Sequence, residues 1–364
     1  MKSRDLATAS QWKLLYWKFF QHKMAVISAF GLIAFYVVAI FAGFFAVNDI
    51  NTRFPNMQNA PPMRIHLFSE KGFEGLFYYP YNRELNKNTF KYEYFPDEDR
   101  IVKIRLFGKG FNYKLFGLTA SRHFLVSGSG ESPLLLLGTD ALGRCLYSRI
   151  IFGSQISLSI GLVGVFLSFI IGVVVGSISG YFGGVIDEII QRIIDFIMSI
   201  PTMPLWMALS AAIPRNWPVT KTYFMITIIL SLVGWCNLAR IVRGKLLSLR
   251  EEDFVSAAKV SGAGNFRIIT HHLLPSFSSH LIVSITLNVP RMIISETSLS
   301  FLGIGMQPPA VSWGVLLQDA QNLLAISNYP WQLSPALFII VIVLMYNFFG
   351  DGLRDAVDPY GVKH

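Results

Sequence analysis

Residues 248–275, SLREEDFVSAAKVSGAGNFRIITHHLLP, are charged and helix-forming, yet they lie between two apolar runs long enough to cross a bilayer. Ser248 and Glu251 have capping-box spacing, in which a hydroxyl and a carboxylate satisfy the free amides of a first helical turn. The expected helix runs through Phe254, Ala257, Ala258 and Val260. Gly262 and Gly264 then stop it, because glycine adopts the left-handed conformation that a helix C-terminus needs. Asn265 is placed to cap a second helix and Pro275 to end it. A pair of short helices joined by a glycine turn at a membrane face suits docking into a partner's groove.

Composition agrees with a membrane setting. The chain has 364 residues, 52% apolar and 15% charged, whereas charged residues make up about a quarter of soluble domains. The net charge of +9 is placed by the positive-inside bias rather than by nucleic acid. Lys2, Arg4, Lys13, Lys18 and Lys23 precede the first apolar run, and Arg240, Arg243, Lys245, Arg250, Lys259 and Arg267 fall in or just before the docking loop. A DNA-binding helix-turn-helix within that loop is disfavoured, because Glu251, Glu252 and Asp253 would repel phosphate.

Residues 1–23 read as a cytoplasmic segment and 24–47 as a first span, a little longer than the ~20 residues a helix needs. A retained anchor is favoured over a signal peptide, whose apolar core would be shorter. In residues 48–136 the character changes, and alternating runs at 89–95 and 100–107 read as short strands of an extracytoplasmic insert. That insert serves as a packed lid or as a docking surface for a solute-binding protein. Residues 137–353 form the membrane core, with a cytoplasmic loop at 244–275, and 354–364 form a cytoplasmic tail.

Within the core, 150–186 is uncharged and carries Gly172, Gly176 and Gly180, a four-residue repeat that lets helix backbones approach closely. The third span, 189–213, places Arg192 and Asp195 on one face, where pairing is expected. Pro201 and Pro204 remove amide donors and predict a kink. The fourth span is 222–239 and the fifth is 277–302. The fifth contains Arg291 and Glu296, each costing about 2.5–3.5 kcal/mol at the bilayer centre, so that both should face protein or water. The sixth is 333–350, followed by Asp351, Arg354 and Asp355 at pairing distance along a helix. Cys145 and Cys236 lie too far apart for a disulfide or a metal pair.

The order Ser256-Ala257-Ala258, three residues, Gly262, then Leu274-Pro275 resembles the EAA loop of ABC-importer permeases. Ser256 stands at that family's glutamate and His272 at its isoleucine. LGTDALGRCLYSRIIFGSQISL at 137–158, with Asp140, Arg144 and Arg149, resembles the opening of the membrane domain in oligopeptide and dipeptide permeases, Cys145 replacing a usual aspartate. FLGIGMQPPAVSWG at 301–314 and NFFGDGLRDAVDP at 347–359 resemble the same class, so the likeness covers about 137–360. The glycine- and proline-rich 301–314 reads as an outer loop.

The resemblance implies an all-α polytopic membrane protein with six transmembrane helices of ABC-importer permease type, to which the residue pattern of 48–136 adds a small, part-β extracytoplasmic insert between helices 1 and 2. It implies a multi-pass protein of the plasma (inner) membrane, both termini cytoplasmic, contacting membrane lipid and no nucleic acid. Its implied partners are a second homologous permease subunit, two P-loop ATPase subunits and an extracytoplasmic solute-binding protein. ATP and Mg would be held by the ATPases, with no cofactor on this chain. Ser256, Ala257, Ala258, Gly262, Leu274 and Pro275 would be the ATPase-coupling residues. Asn288, Arg291, Glu296 and Pro201 are candidates for the translocation pathway, the alternative being charges satisfied by neighbouring helices and a proline that serves shape alone. The cargo implied is an oligopeptide or dipeptide, with an oligosaccharide or another small solute as the alternative.

No G-x-x-x-x-G-K-[ST], HExxH, paired CxxC or nucleophile elbow occurs in the sequence, so the chain reads as a transport subunit rather than an enzyme. An ion-coupled secondary transporter is a rival that explains the buried charges but leaves the charged loop without a purpose.

Overall fold

The computed structural model describes residues 11–357 except 70–71, 88–89 and 129–131, with backbone alone at 11–15 and 323–325. Lys2, Arg4 and residues 358–364 lie outside the described residues. Two compact units result. One takes the chain up to Ile33, Ser159–Leu299 and the chain from Val341 on, and the other takes Ala34–Leu158 and Ser300–Ile340.

Four helices are long and apolar enough to cross a bilayer: Lys23–Ile40, Leu146–Phe182, Val219–Leu249 and the stretch Pro330–Val357. Two further pairs qualify only together, Gly184–Ser199 with Thr202–Ala211, bent by 84°, and Asn265–Ser276 with Ser278–Phe301, bent by 72°. The chain is thus mostly helical, with four unbroken candidate spans and six if each bent pair counts as one.

The breaks follow from local chemistry. Gly183 and Gly184 both have positive φ, +66° and +58°, a conformation open to glycine at little steric cost. They end the long helix and turn the chain into the next. Ile200 and Pro201 are extended between Ser199 and Thr202, where proline contributes no amide to continue the ladder.

In the first unit the small-residue repeat packs as its spacing predicts. A methyl built on Gly176 would lie 2.5 Å from the Ala239 carbonyl oxygen, and one on Gly180 would lie 2.8 Å from that of Arg243. Gly172 meets the Trp235 carbonyl at 3.0 Å. Three turns of one helix therefore rest on the backbone of Val219–Leu249, and Ser231 Oγ donates to the Gly164 carbonyl at 3.0 Å.

Several expectations are corrected in this unit. The helix expected at 222–239 continues to Leu249, because Arg240 and Arg243 are neutralised by Asp195 and Asp187 and Leu246 is buried. Ser248 therefore lies inside that helix and caps nothing. Asp195 bonds Arg240 instead of Arg192, whose recorded partner is Glu188, one turn away at 4.0 Å. The final helix, Ser334–Val357, runs through Asp351, Arg354 and Asp355 without a break. The ion pair recorded for Asp355 is with His22, at 3.9 Å.

The second unit contains the insert. Strands β1 (His66–Ser69), β2 (Gly72–Tyr78), β5 (Val102–Leu106) and β8 (Leu125–Ser127) form an antiparallel sheet in the order β1-β2-β5-β8. The hairpins β3 (Tyr81–Asn86) with β4 (Lys91–Pro96), and β6 (Lys109–Leu115) with β7 (Leu118–Arg122), stand as separate pairs. Phe116 and Gly117 both take positive φ, the two-residue turn whose twist suits a tight hairpin. Tyr78, wholly buried, anchors this unit's core beside Val47, Met63 and Leu135, and its hydroxyl donates to the Ser132 carbonyl at 2.6 Å.

The segment 302–312 is irregular, as its glycines and prolines predict, and much of it and of the turn that follows is packed inside this unit. Met306, Ala310, Ser312 and Trp313 are buried. Trp313 donates from its indole to the Ile150 carbonyl at 3.0 Å and from its amide to Ser157 Oγ at 3.1 Å.

Candidate functional site

The charged loop at 248–275 contains a helix at Asp253–Val260. Glu252 occupies the N-cap position without a side-chain bond, and Asp253 places negative charge in the first turn, where the helix dipole favours it. At the other end Gly262 has φ +79°. Its amide bonds the Lys259 carbonyl and the Ala263 amide bonds the Ala258 carbonyl, both at 3.0 Å. These two bonds are a Schellman closure, with Ala263 returning onto Ala258 in one apolar cluster. The glycine stop expected from the sequence is therefore made by Gly262 alone, while Gly264 is extended and caps the next helix.

Only one face of this helix is anchored. Val255 and Ala258 are buried in a cluster with Val242 and Leu246 of the long helix and with Ile268, Leu273 and Phe277. Ser256 and Ala257 face outward. So do Phe254, Val260 and Phe266, which are 42%, 90% and 79% exposed. Large apolar side chains at such exposure on a charged loop mark an interaction surface.

The second helix differs from expectation. Asn265 begins it rather than capping it, and its side-chain oxygen accepts a bond from the Tyr181 hydroxyl at 2.9 Å. Ile268–Leu273 is π-wound, a rare winding that is frequent at functional sites. Leu274 and Pro275 open one last turn, and the chain bends at Phe277. Pro275 thus sits two residues before the break. His271 and His272 fall in the π-wound stretch, and His271 Nδ1 pairs with Thr270 Oγ1 at 2.8 Å.

Polar bonds brace the helices that carry the loop. Asp187 accepts from Arg243 Nε at 2.6 Å and Nη2 at 2.5 Å, and it also takes the Ser179 hydroxyl. Such planar two-point pairs are the stronger kind of charge-assisted bond. The signal is present in the sequence as arginines three apart in an apolar run, but the partner of Arg243 lies 56 residues away.

The pathway candidates separate. Glu296 is wholly buried, whereas Arg291 is exposed and lines a cavity of about 230 Å3 together with Asn288. Pro201 is exposed at the broken pair, and its neighbour Thr202 lines the same cavity with Trp206 and Asn237. Neither Trp206 nor Asn237 stands out in the sequence.

In the second unit, Asp140 accepts from the amides of Leu142 and Arg144, each at 2.9 Å, and pairs with Arg144 Nε at 2.7 Å and with Arg149. Cys145, buried, receives a weak bond from Ser148 Oγ at 3.5 Å. Arg149 Nε, in the first turn of the helix Leu146–Phe182, is buried with no hydrogen-bond partner among the described residues.

Residues 172–360 match the family model described as binding-protein-dependent transport system inner membrane component, and 10–62 match the N-terminal TM domain of oligopeptide transport permease C. The chain belongs to the binding-protein-dependent transport system inner membrane component family. It is 41% identical over 223 residues to the oligopeptide transport system permease protein OppC of Bacillus subtilis, covering 61% of this chain and 70% of that one. It is also 41% identical to the dipeptide transport system permease protein DppC of the same organism, over 61% and 68%. A solved chain of the MetNI methionine ABC transporter, inward facing, aligns over 58% of this chain and 98% of its own at 18% identity and a TM-score of 0.44. The permease family and the apolar helices make this chain a multi-pass membrane permease of the ABC peptide-transport class.

Proposed function

We propose that this permease subunit translocates an oligopeptide or dipeptide handed over by an external solute-binding protein, and that separate ATPases drive it through the 248–275 loop. The observation that carries the reading is the two-sided helix at Asp253–Val260. Its Val255 face is fixed in the core of the membrane helices, while Phe254, Ala257 and Val260 are presented outward. A rigid helix seated on one side and apolar on the other can transmit a push that a flexible loop would absorb.

In this reading the loop and both termini are cytoplasmic, the functional complex contains a second homologous permease and two P-loop ATPases, and ATP and Mg belong to the ATPases. ATP shifts the permease between conformations only by favouring one arrangement of the docked pair over the other. Ser256, Ala257, Ala258, Gly262, Leu274 and Pro275 form the coupling element, Ala258 from beneath. Asn288, Arg291 and Pro201 border the solute path, and Glu296 acts from within the helix packing behind it.

The test is uptake of a radiolabelled tripeptide mixture into proteoliposomes containing the copurified complex and its binding protein. The proposal expects uptake that requires ATP on the loop side and is indifferent to ion gradients. Uptake driven by an ion gradient without ATP would replace it with a secondary transporter.

A further inference from the structure

We infer that the cavity around Arg291 is a binding site for a carboxylate attached to an apolar body, such as the C-terminal residue of a transported peptide. The inference rests on the importer reading above and adds the chemistry of the ligand.

Four helices converge on the cavity, contributing Phe169, Trp206, Asn237 and Arg291 from separate elements. Arg240 and Arg243, also in the apolar helices, are each held by an aspartate. For Arg291 no carboxylate lies within ion-pair distance among the described residues, and none lines the cavity. The indole N–H of Trp206 is buried without a hydrogen-bond partner among the described residues. A buried donor left unpaired is costly, and Arg291, exposed on the cavity wall, presents a cation with no anion opposite it. A carboxylate seated in the cavity supplies the anion that Arg291 lacks.

The rest of the wall fits a hydrocarbon neighbour to that anion. Val165, Phe169 and Met292 supply apolar surface, while Asn288 uses its amide nitrogen on the Ser284 carbonyl at 2.7 Å. At about 230 Å3 the space is below the roughly 300–1,000 Å3 of pockets that enclose a whole drug-sized ligand. It receives the end of a larger molecule. A guanidinium is suited to a carboxylate because its fork can donate two parallel bonds.

The test uses the complete transporter in nanodiscs, without binding protein, carrying Asn237→Cys labelled by a neutral thiol reagent. Trileucine should slow labelling at a concentration roughly tenfold or more below that needed by trileucine amide, the range expected for a charge-assisted bond. Arg291→Gln in the same background should erase the difference, Arg291→Lys should keep part of it, and Trp206→Phe should weaken protection by the free acid several-fold. Equal protection by acid and amide, protection by neither, or a difference that survives Arg291→Gln overturns the inference. ATP-driven uptake measured on the same preparation separates the two levels: its presence without acid selectivity removes only the carboxylate site, and its absence removes the importer reading.

Discussion

Arg243 grips Asp187 through two bonds of 2.6 and 2.5 Å, Nε to one carboxylate oxygen and Nη2 to the other. The pair ties the first half of the broken helix pair to the helix that leads into the 248–275 loop, and a third helix joins through Ser179. The helix that leads into the loop is thereby tied to two others.

Breaking this tie should loosen the subunit and its response to nucleotide. Arg243→Ala or Asp187→Ala is expected to cost about 1.5–3 kcal/mol, the scale of hydrogen bonds to charged groups. The double variant should cost less than the sum, because neither charge is left stranded. Thermal unfolding of the purified complex gives the cycle, and strict additivity would show that the two side chains act independently.

Helix contact at Gly176 should be unforgiving while another glycine, Gly244, is not so constrained. Gly176→Val meets the Ala239 backbone at 2.5 Å and is expected to cost about 1–3 kcal/mol through overpacking. Gly244 has nothing within 4 Å of a built methyl, so Gly244→Ala should gain about 0.5–1 kcal/mol of helix stability. Melting temperatures of the two variants should move in opposite directions.

At Gly262 the constraint is the backbone and not space. Nothing lies within 4 Å of a built methyl, but φ is +79°. Gly262→Asn should be tolerated, since asparagine visits this region, whereas Gly262→Val should cost about 1–2 kcal/mol and uncouple ATP hydrolysis from uptake. Transport per ATP consumed in proteoliposomes reads the difference.

Asp319 gives the second unit a pH response. Burial, followed by the nearby Asp140 carboxylate, pushes its pKa above the ordinary aspartate value, against the pull of Arg149 and Arg144. A raised folded-state pKa contributes stability that is present below the unfolded value and is lost as pH rises through the folded one. Asp319→Asn should therefore match or exceed the parent in stability at neutral pH, and the difference should vanish on acidification below the usual carboxylate range. Thermal unfolding across pH, variant against parent, checks the sign.

The parts legible in the sequence are those fixed by local chemistry. The glycine repeat at 172–180, the Gly262 stop and the proline break at 201 each depend on a few adjacent residues, and each appears where the sequence places it. The differences come from distant partners. Ser248 has capping chemistry, but two arginine pairs and the burial of Leu246 carry its helix past it. Asp195 has a suitable cation three residues away, yet Arg240 on another helix takes it. Trp206, from a bent helix pair, and Asn237, from an unbroken helix, become visible only when the fold brings them to the cavity that Arg291 lines.

On the proposed reading, the outward face of Asp253–Val260 receives a nucleotide-driven partner. The direct measurement places a cysteine at Val260, 90% exposed, and another at Val255, buried in the core, for crosslinking in native membranes. Val260→Cys is expected to capture a P-loop ATPase in a yield that changes when ATP is added, while Val255→Cys captures none. Labelling of Val260→Cys from outside the cell, or its failure to capture any ATPase, would show that this face does not meet a nucleotide-driven partner.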